Sequence, residues 1–235
     1  MNSPSELDRL TEEIFSRSKY RSLNMEFVRL VGAQELERQN SFKVAVQATR
    51  TKLHQVSCSF QNKPIDFTTW EEKLKRISSS IDSEETSDFC KTMMKTHSST
   101  NERLPILEQF FQVIFENLPD INSILDCACG LNPLSLPWIP VKKNISYYAC
   151  DVLTDLSIFL DRYFGHYGID GKAWTSDLTT TIPDGIFDLA LILKTMPCLD
   201  QIDKNAGARL LEGIQARYLL ISYPIKSLGG RDKAC

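Results

Sequence analysis

Residues 122–138 read NSILDCACGLNPLSLPW, and this stretch decides the fold. A short apolar run, Ile124 and Leu125, ends at Asp126, and Gly130 follows within a tight turn. A second run, Ile145 to Cys150, ends at Asp151. Strand, acidic turn, helix, strand, acidic residue is the order in which an α/β sheet holds a nucleotide-like ligand over its carboxyl edge. The same texture continues downstream. Strands are expected at 123–127, 145–150, 172–176, 187–193 and 217–223, and helices near 133–139, 154–167 and 203–216. Such alternation implies a parallel sheet with right-handed crossovers.

Upstream of residue 118 the periodicity is helical. Leu7, Leu10, Ile14 and Phe15 fall on one helical face. Phe27, Leu30 and Val31 begin a second helix behind Asn24, an N-cap residue type. Val44, Val46, Ala48, Leu53 and Val56 mark a third, and Trp70, Leu74 and Ile77 a short fourth. Residues 61–69 read as a loop and Ser78 to Ser87 as an acidic, Ser-rich connector. After a turn or two around Phe89, Met93 and Met94, an amphipathic helix is expected over Glu102 to Leu118. The division expected is a helical region at 1–100 and a Rossmann-like α/β domain at 101–235.

Composition narrows the class. Hydrophobic residues make up 42% and charged residues 24%, as in an ordinary globular chain. No apolar run of about 18 residues is present, so no membrane span is expected. The polar, acidic N-terminus argues against a secretory signal. Seven cysteines, an odd number with several on expected buried strands, suggest reduced thiols and a cytoplasmic location. The net charge of −3 is not that of a strongly basic nucleic-acid binder, so RNA binding would need a local patch.

The ligand chemistry follows from the strand ends. Ala128 and Gly130 let a ligand approach the backbone closely. A dinucleotide turn carries three glycines for its pyrophosphate. This one carries a single glycine and an acid, which would repel a diphosphate and attract the cationic sulfonium and amino group of S-adenosylmethionine. Asp151 is suited to the ribose hydroxyls and Asp177, after the third strand, to the adenine amino group. Each alone reads more readily as a helix N-cap; the succession of acidic strand ends favours the cofactor. Arg103 is suited to bidentate grip of a carboxylate. Lys194, Thr195, Met196 and Pro197 are expected to form a loop after the fourth strand, where Lys194 is either a solvated strand end or a contact to the target nucleotide or RNA phosphate. Cys127 and Cys129, separated by one residue, lack zinc-ligand spacing and a second pair, so no metal is expected. No paired base supports a cysteine nucleophile.

Five ordered motifs, HSSTNER (97–103), DCACGLNPLSLPW (126–138), YYACD (147–151), LILKTMPCL (191–199) and ISYPIKSLGGRDK (221–233), together resemble the aminoglycoside-resistance 16S rRNA (guanine(1405)-N(7))-methyltransferases. That family comprises enzymes of antibiotic producers and of resistant pathogens. The resemblance implies methyl transfer from S-adenosyl-L-methionine to N7 of a decoding-site guanine of the small subunit. The modified base blocks 4,6-disubstituted deoxystreptamine drugs such as gentamicin and kanamycin. It also implies that His97, Ser98, Ser99 and Arg103 line the methionine end, and that Ala128 sits in the cofactor turn. Asp151 would hold the ribose. Asp177 and Leu178 would hold the adenine over Leu193. Phe60 would close on the cofactor, and Gln201 stands nearest to a Gln of the family's motif, one position out of register. The helical region becomes the RNA-docking part, with Arg17, Lys19, Arg21, Arg50, Lys52 and Lys194 as RNA contacts. No catalytic acid or base is implied. The implied partner is 16S rRNA within the assembled 30S subunit, met by a monomer.

The family continues beyond SLGGRDK, whereas here Lys233 is followed by Ala234 and Cys235. The reading therefore expects the last strands of the sheet to be missing. It keeps open two alternatives: a truncated, non-catalytic cofactor-binding remnant, and a small-molecule methyltransferase.

Overall fold

The computed structural model describes residues 5–57, 60, 65–140 and 145–224. Helices α1 (Glu6–Phe15), α2 (Met25–Arg38) and α3 (Phe42–Val56) begin where capping residues place them. Ser5, Asn24 and Ser41 each accept a hydrogen bond from a first-turn N–H, and Ser5 and Asp8 form a reciprocal capping box. Leu10, Ile14, Val28, Val31, Ala45 and Leu53 form the contact face, while Val44 stays 51% exposed.

Three helix boundaries differ from the sequence reading. Asp66 caps α4 (Phe67–Leu74), so the expected loop ends earlier; of that loop, residues 61–64 lie outside the described residues. Ser83 caps α5 (Glu84–Met94), which absorbs the end of the Ser-rich connector. The single helix expected over 102–118 is two: α6 (Ser98–Arg103) and α7 (Leu107–Asn117), joined by a 3-10 turn at Leu104–Ile106. Pro105 lacks the N–H that a continuous helix requires there.

The sheet contains β1 (Ser123–Cys127), β2 (Ser146–Asp151), β3 (Gly171–Thr175), β4 (Ile186–Leu193) and β5 (Gln215–Ser222). All pairings are parallel and the order is β3-β2-β1-β4-β5. All five strands lie where the sequence places them, within two residues. Residues 225–235, the segment after which the last strands were expected to be missing, lie outside the described residues. A 3-10 stretch (Asn132–Trp138) follows β1, α8 (Thr154–Tyr167) follows β2, and α9 (Met196–Ile202) and α10 (Ala206–Gly213) follow β4. The expected helix near 203–216 is thus α10, and α9 was read as a loop.

Alternation along the strands makes two cores. Ile124, Tyr147, Ala149 and Leu191 face a cluster that runs through α8 into the N-terminal helices, reaching Leu10, Val31 and Leu53. Leu125, Cys127, Ala190 and Ile192 face a smaller cluster with Leu199 and Leu210. The N-terminal region is also tied to the sheet by backbone. Asn24 N–H donates to the Val152 carbonyl at 2.8 Å, Thr154 N–H donates to Ser22 at 2.6 Å, and Leu23 bridges Leu153. These bonds bring the helices over the carboxyl ends of β1 and β2. Among the described residues no helix is long and apolar enough to cross a membrane.

Candidate active site

One cavity opens at the carboxyl ends of β1, β2 and β4, roofed by α2, α3 and α6. Its floor is the turn after β1. Ala128 and Gly130 both adopt left-handed backbone, with φ of 50° and 52°. Glycine does so freely, whereas alanine stores strain there. A Cβ on Gly130 would stand 3.1 Å from the His97 ring, so the missing side chain is what lets His97 pack onto the turn. Lys194, at the end of β4, is also left-handed, with φ 61°. Strained non-glycine residues at two neighbouring strand ends mark the point where backbone geometry is spent on a ligand.

Asp151 is 8% exposed and ties this turn to β2. One carboxylate oxygen accepts from Gly130 N–H at 2.9 Å and the other from Leu153 N–H at 3.1 Å. Burial raises its pKa, and the N–H groups of Gly130, Leu153 and Val152 oppose the shift. The carboxylate keeps lone-pair capacity for a further donor. Asp177 accepts from Thr179 N–H at 2.9 Å and from its hydroxyl at 2.6 Å, a short local turn that aims the carboxylate.

His97 stacks on Phe60, with centroids 5.7 Å apart, and its Nδ1 is buried without a hydrogen-bond partner. Burial, helped by Arg103 and Lys194, lowers its pKa to about 4. The imidazole is therefore neutral at physiological pH. An unfolded histidine titrates near ~6.5. As pH falls from there toward about 4, the unfolded chain binds the proton first, so stability should fall with pH across that window. Chemical denaturation of His97→Gln beside the parent chain checks this. The parent should lose more stability between those pH values, and parallel profiles would refute the buried neutral histidine.

Of the sequence-predicted cofactor residues, Phe60, His97, Ser99, Arg103, Ala128, Asp151, Asp177, Leu178 and Leu193 all line the cavity. Ser98 and Gln201 do not. Ser98 begins α6 outside the lining, and Gln201 is exposed on α9, beside Gln34 and Arg38 in a separate groove. The helical turn from Pro197 onward carries Gln201 away and turns Leu199 and Ile202 inward instead. Phe27, Asn132, Ser176, Leu199 and Ile202 are lining residues that the sequence reading missed. For the last two a signal existed: Pro197 in a first helical turn, with Met196, Leu199 and Ile202 at three-residue spacing. Asp126 was read as facing the ligand. It is 1% exposed and lies behind Asn132.

The expected RNA-contacting cations divide by environment. Arg17, Lys19 and Arg21 are exposed around the 3-10 turn Ser18–Tyr20, where the Lys19 ammonium lies 4.7 Å from the Tyr20 ring centre. Arg50 pairs with Glu13 at 3.2 Å, and Lys52 with the buried Glu35 at 3.0 Å. Lys194 pairs with Glu102 of α6 across the cavity mouth.

The chemistry of these residues fits one kind of group. A neutral buried imidazole, a bare glycine turn, a guanidinium and two strand-end carboxylates match the sulfur, amino-acid, ribose and adenine parts of a sulfonium nucleoside. A parallel sheet in this order with such a site defines an S-adenosylmethionine-dependent methyltransferase. The family model for ribosomal RNA methyltransferases (FmrO) matches residues 16–235, and the chain belongs to that family. The 16S rRNA (guanine(1405)-N(7))-methyltransferase of Micromonospora echinospora is 30% identical over 231 residues, covering 97% of this chain and 84% of that protein. The enzyme of the same name from Serratia marcescens is 31% identical over 227 residues, covering 96% of this chain and 83% of that one. Among solved structures, the 16S rRNA methyltransferase RmtF in complex with S-adenosyl-L-homocysteine is similar with a TM-score of 0.82 at 27% identity, covering 98% of this chain and 85% of that one. The 16S rRNA methylase RmtB follows at 0.78 and 27%, over 94% and 86%. These matches show the family and carry no support for the truncation that the sequence reading expected.

Proposed function

We propose that this chain transfers a methyl group from S-adenosyl-L-methionine to N7 of guanine 1405 of 16S rRNA, giving resistance to kanamycin and gentamicin. The observation that carries the reading is the identity with the Micromonospora enzyme over nearly the whole chain, together with matching motif residues around one cavity. His97, Ser99 and Arg103 serve the methionine end, Ser98 supports them from outside the lining, and Asp151 takes the ribose hydroxyls. Asp177, Leu178 and Leu193 receive the adenine, Phe60 and Ala128 close the two sides, and Gln201 has no role here because it faces away. Residues 1–100 dock the RNA and residues 101–235 carry the chemistry. Arg17, Lys19 and Arg21 are the primary phosphate contacts, and Arg50, Lys52 and Lys194 contribute after exchanging their carboxylate partners. The substrate is the assembled 30S subunit, the acting species is a monomer, and the site of action is the cytoplasm.

When bound, S-adenosylmethionine supplies an electrophilic methyl on a cationic sulfur. Guanine N7 carries an in-plane lone pair and no proton, so the chain needs no general base. Its residues act by positioning and by excluding water. The neutral His97 adds no positive charge beside a sulfonium. The guanine must leave its stack to reach the cavity, at a cost of a few kcal/mol. Expression in a susceptible bacterium tests the reading. Kanamycin and gentamicin tolerance should rise together, and guanine 1405 should become methylated at N7. Cofactor binding with an unmodified guanine 1405 would overturn the substrate, and absence of cofactor binding would overturn the whole reading.

A further inference from the structure

Behind the cavity wall lies a buried polar chain that the proposed chemistry does not use directly. Arg103 Nη1 donates to Asn132 Oδ1. Asn132 Nδ2 donates to Asp126 Oδ2 at 2.8 Å, and Tyr147 Oη donates to the same oxygen at 2.8 Å. Arg103 and Asn132 line the cavity; Asp126 and Tyr147 do not. Tyr147 is 0% and Asp126 1% exposed. Among the described residues Arg103 forms no salt bridge, although it is 9% exposed and burial lowers its pKa. Its strongest electrostatic support is Asp126, ahead of Tyr147 and Glu102. The Phe110 ring, 5.2 Å from the guanidinium carbon, backs it.

A buried cation ordinarily takes a carboxylate directly. Here a neutral amide stands between the guanidinium and the Asp126 carboxyl, whose pKa burial raises to about 7 against the pull of Asn132, Tyr147 and Arg103, and the orientation of the amide is fixed. A flip would set the NH₂ against the guanidinium and the carbonyl oxygen against the carboxylate. Asp126 thus offsets the charge of Arg103 without occupying its fork. The guanidinium stays oriented, with donors left for a carboxylate inside the cavity.

We infer that Asp126, Asn132 and Tyr147 are positioning residues, a relay that holds Arg103 ready for the cofactor carboxylate while keeping a protein carboxylate off it. This rests on the proposed role of Arg103 at the methionine end. Two variants separate the relay from general structural support. Tyr147→Phe keeps the ring and removes the donor to Asp126. Asn132→Asp puts a competing carboxylate directly on the guanidinium.

The probes are S-adenosyl-L-homocysteine and 5′-methylthioadenosine, which lacks the amino-acid end, measured by calorimetry on the full chain. Affinity for the first should fall about 5-fold in Tyr147→Phe and about 30-fold in Asn132→Asp, the scale of hydrogen bonds to charged groups. Affinity for 5′-methylthioadenosine should hold in both. In 30S methylation, KM for S-adenosylmethionine should rise with little change in kcat. Against an Arg103→Ala background the effect of Tyr147→Phe should vanish. If Arg103→Ala weakens both probes alike, the role of Arg103 itself fails. If Arg103→Ala is selective but Tyr147→Phe weakens both probes, weakens neither, or keeps its effect in that background, the relay alone is overturned.

Discussion

Asp151→Ala should weaken S-adenosylmethionine binding by at least ~100-fold, because hydrogen bonds to a charged acceptor contribute about 2 kcal/mol each and the proposed role gives Asp151 two ribose hydroxyls. The loss has a second source inside the protein. Gly130 N–H and Leu153 N–H would both lose their acceptor, and the cofactor turn would lose its tie to β2. Asp151→Asn offers one acceptor oxygen where the turn uses two, so it should be intermediate. Titration calorimetry with S-adenosyl-L-homocysteine, on protein whose melting is cooperative, measures this. Unchanged affinity in the alanine variant would remove Asp151 from the site. Expressed in the susceptible host, the same variant should leave drug tolerance at background.

Gly171→Ala should be among the most destabilising single changes in the chain, costing about 3–5 kcal/mol. Gly171 opens β3 with φ of 133°, a conformation that a side chain rarely adopts. An added Cβ would stand 2.0 Å from the Tyr147 carbonyl oxygen and 2.7 Å from its carbon, both backbone atoms of the adjacent strand. No rotamer change relieves that contact, and β3 is an edge strand held by β2 alone within the sheet. A drop in melting temperature of roughly 10 °C is expected for a chain of this size. A shift within a degree or two of the parent would mean that the β2–β3 register differs from Tyr147 opposite Gly171.

The sheet was legible because its signals are local. Ile124 and Leu125 before Asp126, Ile145 to Cys150 before Asp151, and the run at 189–193 each announce a buried strand within a few residues. Helix starts were legible where a capping side chain precedes an apolar stripe, as at Asn24. They were misread where the cap sat inside a polar stretch, as at Asp66 and Ser83, or where a proline was taken as loop rather than as a first helical turn, as at Pro197. Pro105 did the reverse. Its break was hidden by continuous apolar periodicity on both sides.

Of the residues proposed to hold the cofactor, most were reachable by motif because they sit at strand ends or within one short segment. Gln201 shows the limit of that approach. One extra helical turn rotates it away, and only the packing of α9 reveals it.

The amino-acid sequence alone determined the parallel α/β class, the acidic strand ends and the family resemblance, since each is written in a few consecutive residues. The tertiary structure decided which of those residues meet. Phe27 and Phe60 join the cavity only because α2 and α3 fold over β2, with Asn24 bonded to Val152. Asp126 moves behind the wall because Asn132 and Tyr147, from different elements, take its carboxylate before a ligand can reach it. Local patterns encode hydrophobic burial and capping, which act over a few residues. Hydrogen-bond partnership between distant segments is encoded nowhere along the chain until packing brings donor and acceptor within 3 Å.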